Sequence, residues 1–424
     1  MNMKNIKYLA LSVMIIFVIV GCELNYKTFP VIDNDGEPVE IQVGTRTVIT
    51  NKFTKNNKPV VPMWSEDIPN DPALFPVLTN AEHASVWFPK TREEGAYNHY
   101  ASIINFKGKV YGMRGNHPLG EDAPGQRILY ASADTWNDWS DMRELFAPPG
   151  PIKERSEDGI HLKADRWIVV EDKLFAIAYI FEAGRYPIAR QVNTNGLLGR
   201  PFLLSPLDSG DELPSYMKSY TQEQLITPFS QKLKDWYDAN DEISWWASAE
   251  QGVQREGNDG TNLIECFMYR TNDNVEVLMM RNFGTPSNPV HNNRMYVSFK
   301  DETGSWGFPF PSDIPDSPSR AQAIKLDDGR ILLIGNQIAR TFDEPVYLER
   351  DPMTISISQD GYIFDKVYTL RKDGPQDFRF DNIGGRDRGF AYSSSIVHEG
   401  FLYTFYSTRK EDMEITRVPI TDIQ

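Results

Sequence analysis

At 424 residues, with a formal net charge of -15 and an isoelectric point near 5.0, the chain is long enough for a large core and is strongly acidic. An acidic surface repels phosphate backbones and no basic stripe offsets it, so nucleic acid is excluded as a partner. Two cysteines rule out a disulfide-dense scaffold, so buried apolar surface has to hold the fold.

Lys4 and Lys7 precede an apolar run, Tyr8–Val20, which leads into Gly21-Cys22. A basic start, an apolar middle and a small residue before the cut describe a secretory signal. The run falls short of the roughly 20 apolar residues that a comfortable membrane span needs. Cysteine directly after Gly21 resembles a bacterial lipobox. That resemblance implies removal of residues 1–21, lipidation of Cys22 and an exported lipoprotein held at the outer membrane by its lipid anchor. Cys266, inside apolar Ile264–Tyr269, is then left without a disulfide mate and is expected to be a buried small hydrophobe. Residues 22–44 are expected to form a tether. Thr45–Ile49 and Val60–Trp64 suit strands, and Pro62, Pro69, Pro72 and Pro76 break the stretch that follows.

Further along, a small-residue turn introduces an alternating apolar run five times. The runs are Gly108-Lys-Val-Tyr-Gly-Met, Asp172-Lys-Leu-Phe-Ala-Ile, Asn274-Val-Glu-Val-Leu-Met, Gly329-Arg-Ile-Leu-Leu-Ile and Gly400-Phe-Leu-Tyr-Thr-Phe. Each is followed by a second candidate strand: Arg127–Ser132, Arg200–Ser205, Arg294–Phe299, Thr354–Ser358 and Glu414–Ile420. Repeated hairpins with long insertions suggest propeller blades. Helical periodicity is confined to Gln222–Tyr237, so a βαβ architecture has no crossover helices. The expectation is an all-β fold, a β-propeller of six or seven blades over residues 45–424, with N-terminal strands closing the ring.

Three turns set Ser, then Asp, then an aromatic: Ser132, Asp134 and Trp136; Ser298, Asp301 and Trp306; Ser358, Asp360 and Phe364. The Asp can accept turn amides, Gly304 and Gly361 supply a positive φ, and the aromatic plugs the blade. These turns resemble the Asp-boxes of sialidase-like propellers. They are structural and carry no catalytic role.

The stretch Tyr97–Gln126 gathers His99, His117, Asn98, Asn116 and Glu121 around one apolar strand. The start of one strand and the end of its antiparallel partner share a sheet edge, so both imidazoles can reach one rim. Asn98-His99 through Arg127, with Asp316-Ser-Pro-Ser-Arg320, Gly335-Asn336, Arg350-Asp351-Pro352 and Tyr406 to Asp412, resembles sialidase-like propeller proteins of Bacteroidota. That group includes ulvan and rhamnosyl-glucuronate lyases and an ulvan oligosaccharide dehydratase. In the lyases a histidine pair on one blade and a tyrosine and an arginine on the next carry the chemistry. The resemblance therefore makes His99, His117, Tyr179, Tyr186 and Arg190 the catalytic candidates, with Arg185 beside them. Relatives with zinc need cysteine clusters that this chain lacks, so no metal and no cofactor is expected. Sialidases instead use an arginine triad, a Tyr/Glu pair and an acid, for which Arg281, Arg320, Arg350 and Tyr392 are available.

An arginine fork matches a carboxylate, so an anionic polysaccharide or oligosaccharide is the expected partner under either resemblance. Three functions stay open. The first is β-elimination at a uronic acid: histidine removes the C5 proton, arginine neutralises the carboxylate and tyrosine protonates O4. A sugar on O4 makes the enzyme a lyase, and a free hydroxyl makes it a dehydratase. The second is glycoside hydrolysis of sialidase or rhamnosidase type, for which Glu250, Glu256 and Asp259 near Trp245-Trp246 are further candidates. The third is a non-catalytic glycan-binding lipoprotein.

Overall fold

Each of the five turn-led apolar runs becomes the second strand of a four-stranded antiparallel sheet. The structure, a computed structural model, describes residues 37–424 apart from 44–45, 54–57, 182–184, 205–214, 220–221, 241–260, 283–293, 318, 339–349 and 381–387. A hairpin of β1 (Val39–Val43) and β2 (Arg46–Thr50) comes first, and β3 (Glu82–Trp87) follows. The first sheet holds β4 (Tyr97–Phe106), β5 (Lys109–His117), β6 (Arg127–Ala133) and β7 (Arg143–Phe146). The second holds β8 (His161–Val170), β9 (Lys173–Phe181), β10 (Arg185–Val192) and β11 (Phe202–Leu203). Helices α1 (Gln222–Leu225) and α2 (Pro228–Asn240) intervene. The third sheet is β12 (Leu263–Arg270), β13 (Glu276–Asn282), β14 (Arg294–Phe299) and β15 (Phe310–Pro315). The fourth is β16 (Gln322–Lys325), β17 (Ile331–Gly335), β18 (Met353–Ser358) and β19 (Phe364–Arg371). The fifth is β20 (Phe390–His398), β21 (Phe401–Thr408) and β22 (Asp412–Pro419), completed by β3 from the other end of the chain.

The architecture is an all-β propeller with five four-stranded sheets among the described residues, against the six or seven expected. The five hairpin signals correspond to the five sheets described. The N-terminal closing strand is Glu82–Trp87. Val60–Trp64 makes only parallel bridges, Val61 to Ser312 and Trp64 to Phe364, because Pro62 lacks the amide a ladder needs. In the second sheet Arg185–Val192 supplies the third strand, and the segment expected there shrinks to Phe202–Leu203 at the edge. The expected helix over Gln222–Tyr237 is interrupted before Pro228, whose ring starts α2 but cannot continue α1. The expected tether over 22–44 ends early: Val39, Ile41 and Val43 are buried with Val277, Met279 and Phe364. Cys22 and the signal lie outside the described residues.

Both faces of the central strands are covered, so β13 and β17 are buried throughout. The Asp-box turns form as expected at two positions. Asp360 Oδ1 accepts the Tyr362 amide at 2.8 Å with Gly361 at φ 89°. Asp301 Oδ1 accepts the Thr303 and Ser305 amides at 2.8 and 3.0 Å. Asp134, whose turn has no glycine, pairs with Lys109 Nζ at 2.9 Å.

Four innermost strands share one irregularity. Their registers slip between His99 and Ser102, Ala164 and Trp167, Ile264 and Phe267, and Ala391 and Ser394. Within three of these bulges Tyr100, Glu265 and Tyr392 sit at φ 59°, 55° and 57°. A left-handed non-glycine residue inside a bulge is strained and re-aims its side chain, a pattern that clusters at functional sites.

Asp313 fastens the N-terminal segment to the third sheet. Its Oδ1 accepts the Met63 and Trp64 amides at 2.6 and 2.8 Å, and Oδ2 pairs with Lys52 at 3.0 Å. Asp313→Ala should cost about 2–4 kcal/mol in denaturant unfolding, because two buried amides lose their acceptor, and Asp313→Asn should recover part of the loss.

Candidate functional site

The bulges of β12 and β20 bring Glu265 and Tyr392 together. The Tyr392 hydroxyl donates to Glu265 Oε1. Arg281, on β13, donates from Nη1 to Glu265 Oε2 at 2.7 Å and to the Tyr392 hydroxyl at 2.8 Å. Arg320 lies 4.9 Å and Arg350 5.5 Å over the Tyr392 ring. Arg320 also donates from Nη2 to Ala101 O at 2.6 Å. Glu265 and Tyr392 are each 3% exposed. Burial pushes the Glu265 carboxyl up, but Arg281 outweighs it and holds the pKa below the usual range. Burial raises the Tyr392 phenol well above its ordinary value, against the pull of Arg281. The four arginine and tyrosine positions proposed from the sequence thus converge, and Glu265 completes the group.

On the neighbouring rim Glu121 Oε2 pairs with Lys410 at 2.7 Å, and Oε1 lies within 3.3 Å of the Tyr97 and Tyr100 hydroxyls. Lys163 Nζ sits 2.9 Å from Asp122 Oδ2; although burial raises this carboxyl, Lys163 and His161 hold it down to about 2. Asp316 is fully buried, and burial pushes its pKa up to about 7 despite Arg281. Four basic side chains, Arg281, Arg320, Arg350 and Lys410, gather around His99 and Tyr392. Such a cluster attracts an anion.

The two histidines do different things. The His99 ring lies tilted against the Tyr392 ring, centroids 3.8 Å apart, with Nδ1 2.6 Å from Ser407 Oγ. Burial first, then Lys410, Arg350, Arg320 and Arg281, depress its pKa well below the ordinary value and keep it neutral. His117 closes a turn instead. Its Nε2 donates to Pro124 O at 3.0 Å and its Nδ1 accepts the Leu119 and Gly120 amides at 3.0 and 3.1 Å. Burial lowers it to about 4. With both ring nitrogens occupied, His117 has no atom left for proton transfer, which corrects its candidacy.

Arg190 is tied to the backbone scaffold, donating from Nε to Gly199 O at 2.7 Å and from Nη1 to Leu145 O at 2.5 Å. Tyr179 and Tyr186 are half-buried against the core between the first and second sheets. Arg185 is exposed, 5.4 Å over the Phe181 ring. Asn98 and Asn116 are structural. Asn98 Oδ1 accepts from Arg114 at 2.6 Å and Asn116 at 2.8 Å, and Asn116 Oδ1 accepts from Arg127 at 2.9 Å. The paired-histidine arrangement is therefore broken up. Glu250, Glu256, Asp259 and Trp245-Trp246 lie outside the described residues. Among the described residues no cluster of three His, Cys, Asp or Glu side chains could hold a metal ion. Glu265 was missed, though its signal is visible: an acid inside the apolar run Ile264–Tyr269 has no packing reason to be there.

A family model described as a BNR repeat-like domain matches residues 213–404. No curated protein matches the chain. Among solved structures, one titled a sialidase is 16% identical with a TM-score of 0.60, covering 85% of this chain and 35% of its own. A Trypanosoma rangeli sialidase in complex with the inhibitor DANA is 10% identical, TM-score 0.49, with 82% and 61% coverage. An α-L-arabinofuranosidase from Podospora anserina in complex with cellotriose is 10% identical, TM-score 0.39, with 81% and 98% coverage. The chain spans about a third of the length of the first of these, and the likeness to it is one of fold: a sialidase-like β-propeller.

Asp316 sets a pH dependence. Its folded pKa of about 7 stands above the unfolded value of about 3.9, so its contribution is full below the unfolded pKa and is lost as pH rises through 7. Asp316→Asn should therefore gain about 2–3 kcal/mol of stability relative to the native chain between pH 5 and 8, read by denaturant unfolding at both pH values.

Proposed function

We propose that the chain is a glycoside hydrolase acting on a terminal carboxylated sugar of an anionic glycan. Tyr392 is its nucleophile, Glu265 the base, and Arg281, Arg320 and Arg350 the carboxylate clamp. The observation that carries this reading is the buried triangle of Tyr392, Glu265 and Arg281. A carboxylate beside the anomeric carbon would repel a carboxylate nucleophile, whereas a neutral phenol can approach it. As Tyr392 attacks, its proton passes to Glu265 Oε1, and Arg281 stabilises the developing phenolate without moving. Glu121 is the acid candidate: it would protonate the leaving oxygen, then take a proton from water as the glycosyl–tyrosine bond is cleaved and Tyr392 recovers its proton from Glu265. Tyr392 and Glu265 are buried, so the rim must open for a glycan end to reach them.

A second reading, β-elimination, has one observation in its favour: neutral His99 lies against Tyr392 beside the same arginines. Its depressed pKa makes it a weak base, which favours hydrolysis.

The reading is tested on methylumbelliferyl glycosides of N-acetylneuraminate and D-glucuronate, and on ulvan. Released fluorophore or new reducing ends support hydrolysis; ultraviolet absorbance of an unsaturated uronate moves the assignment to elimination. On a hydrolysed substrate, Tyr392→Phe should lower kcat/KM about a thousandfold or more, and Arg281→Lys about a hundredfold. The lipid anchor belongs to the same proposal. Labelled palmitate should be incorporated by the native chain in a bacterial host and not by Cys22→Ser, and equal labelling would exclude the anchor.

A further inference from the structure

His99 Nε2 is a buried acceptor or donor with no hydrogen-bond partner among the described residues. The ring cannot turn to find one. Nδ1 is held 2.6 Å from Ser407 Oγ, and the ring lies 3.8 Å from Tyr392 and 5.1 Å from Tyr100. Ser407 Oγ in turn donates to Ala391 O at 3.3 Å. With that hydrogen used, Oγ accepts from Nδ1–H and Nε2 carries the lone pair. Electrostatics favour the same tautomer. Lys410, Arg350, Arg320 and Arg281 all act on this ring, and a lone pair among cations is stabilised where an N–H dipole is not.

We propose that His99 determines specificity: its Nε2 accepts a hydrogen bond from a hydroxyl of the bound sugar while the arginines hold the carboxylate. The site thereby selects hydroxylated sugar acids over bare carboxylates. This rests on the reading of the cluster as a carboxylated-sugar site, and it replaces a proton-transfer role for His99. A carboxylate alone would satisfy the arginines and leave Nε2 unpaired, so the hydroxyl is what distinguishes the correct ligand.

The test is nitrogen NMR on the full mature chain labelled with ¹⁵N-histidine, with His99→Gln used to assign the signal. In the ligand-free protein Nε2 should resonate as an unprotonated ring nitrogen at neutral pH. Glucuronate should shift it toward a hydrogen-bonded value, and cyclohexanecarboxylate, a ring of similar size without hydroxyls, should leave it in place. A protonated Nε2 in the free protein, or a response to both acids or to neither, overturns the proposal. Hydrolysis of methylumbelliferyl glycosides with a protonated Nε2 would remove this inference alone. The expected NMR behaviour without hydrolysis would remove the hydrolase reading alone.

Discussion

The buried pairing of Arg281 with Glu265 is the constraint on which the rest of the site depends. Either charge alone in that position would cost several kcal/mol, so each requires the other, and the Tyr392 hydroxyl takes up the remaining carboxylate oxygen. The three residues come from β12, β13 and β20, so the third and fifth sheets have to be held in register. The fifth sheet is itself completed by Glu82–Trp87 pairing with β22, which joins the two ends of the described chain. The strained bulge residues are tolerated because the surrounding strands over-determine them.

Around that pair the surroundings separate charge from neutrality. Arg281 holds the Glu265 carboxyl below its usual range, while burial keeps His99 neutral and pushes Asp316 up to about 7. The result is a cationic interior poised for an anion. The first sheet supplies the scaffold for it through Asn98, Arg114, Asn116 and Arg127, whose mutual hydrogen bonds use up groups that look functional in the sequence. Asn98 further fixes the turn of β21 to β22 by donating to Glu411 O at 2.7 Å.

Much of this was legible in the chain. Short apolar runs after small-residue turns marked all five central strands, because a strand covered on both faces carries apolar side chains at successive positions. The Ser-Asp-aromatic turns pointed to the sialidase-like propeller, and the sialidase resemblance named Arg281, Arg320, Arg350 and Tyr392 as available for an arginine triad and a tyrosine. The paired histidines were the misleading feature. Register does set Tyr97 opposite His117 at the same edge as His99, but sequence spacing says nothing of what each ring nitrogen meets. Pro124 O and two turn amides claim His117, and Leu145 O and Gly199 O claim Arg190.

The sequence by itself determined the all-β class, four of the five expected hairpins and the net negative charge, since these follow from local periodicity, turn chemistry and composition. Tertiary structure decided the number of sheets, the strand that closes the ring and the partnership of Glu265 with Arg281 and Tyr392. Those three side chains lie 16 and 111 positions apart in the paired contacts, and bulges that no residue pattern signals turn them toward one another. Contacts of that range depend on how sheets are arranged around an axis, which local propensity does not encode.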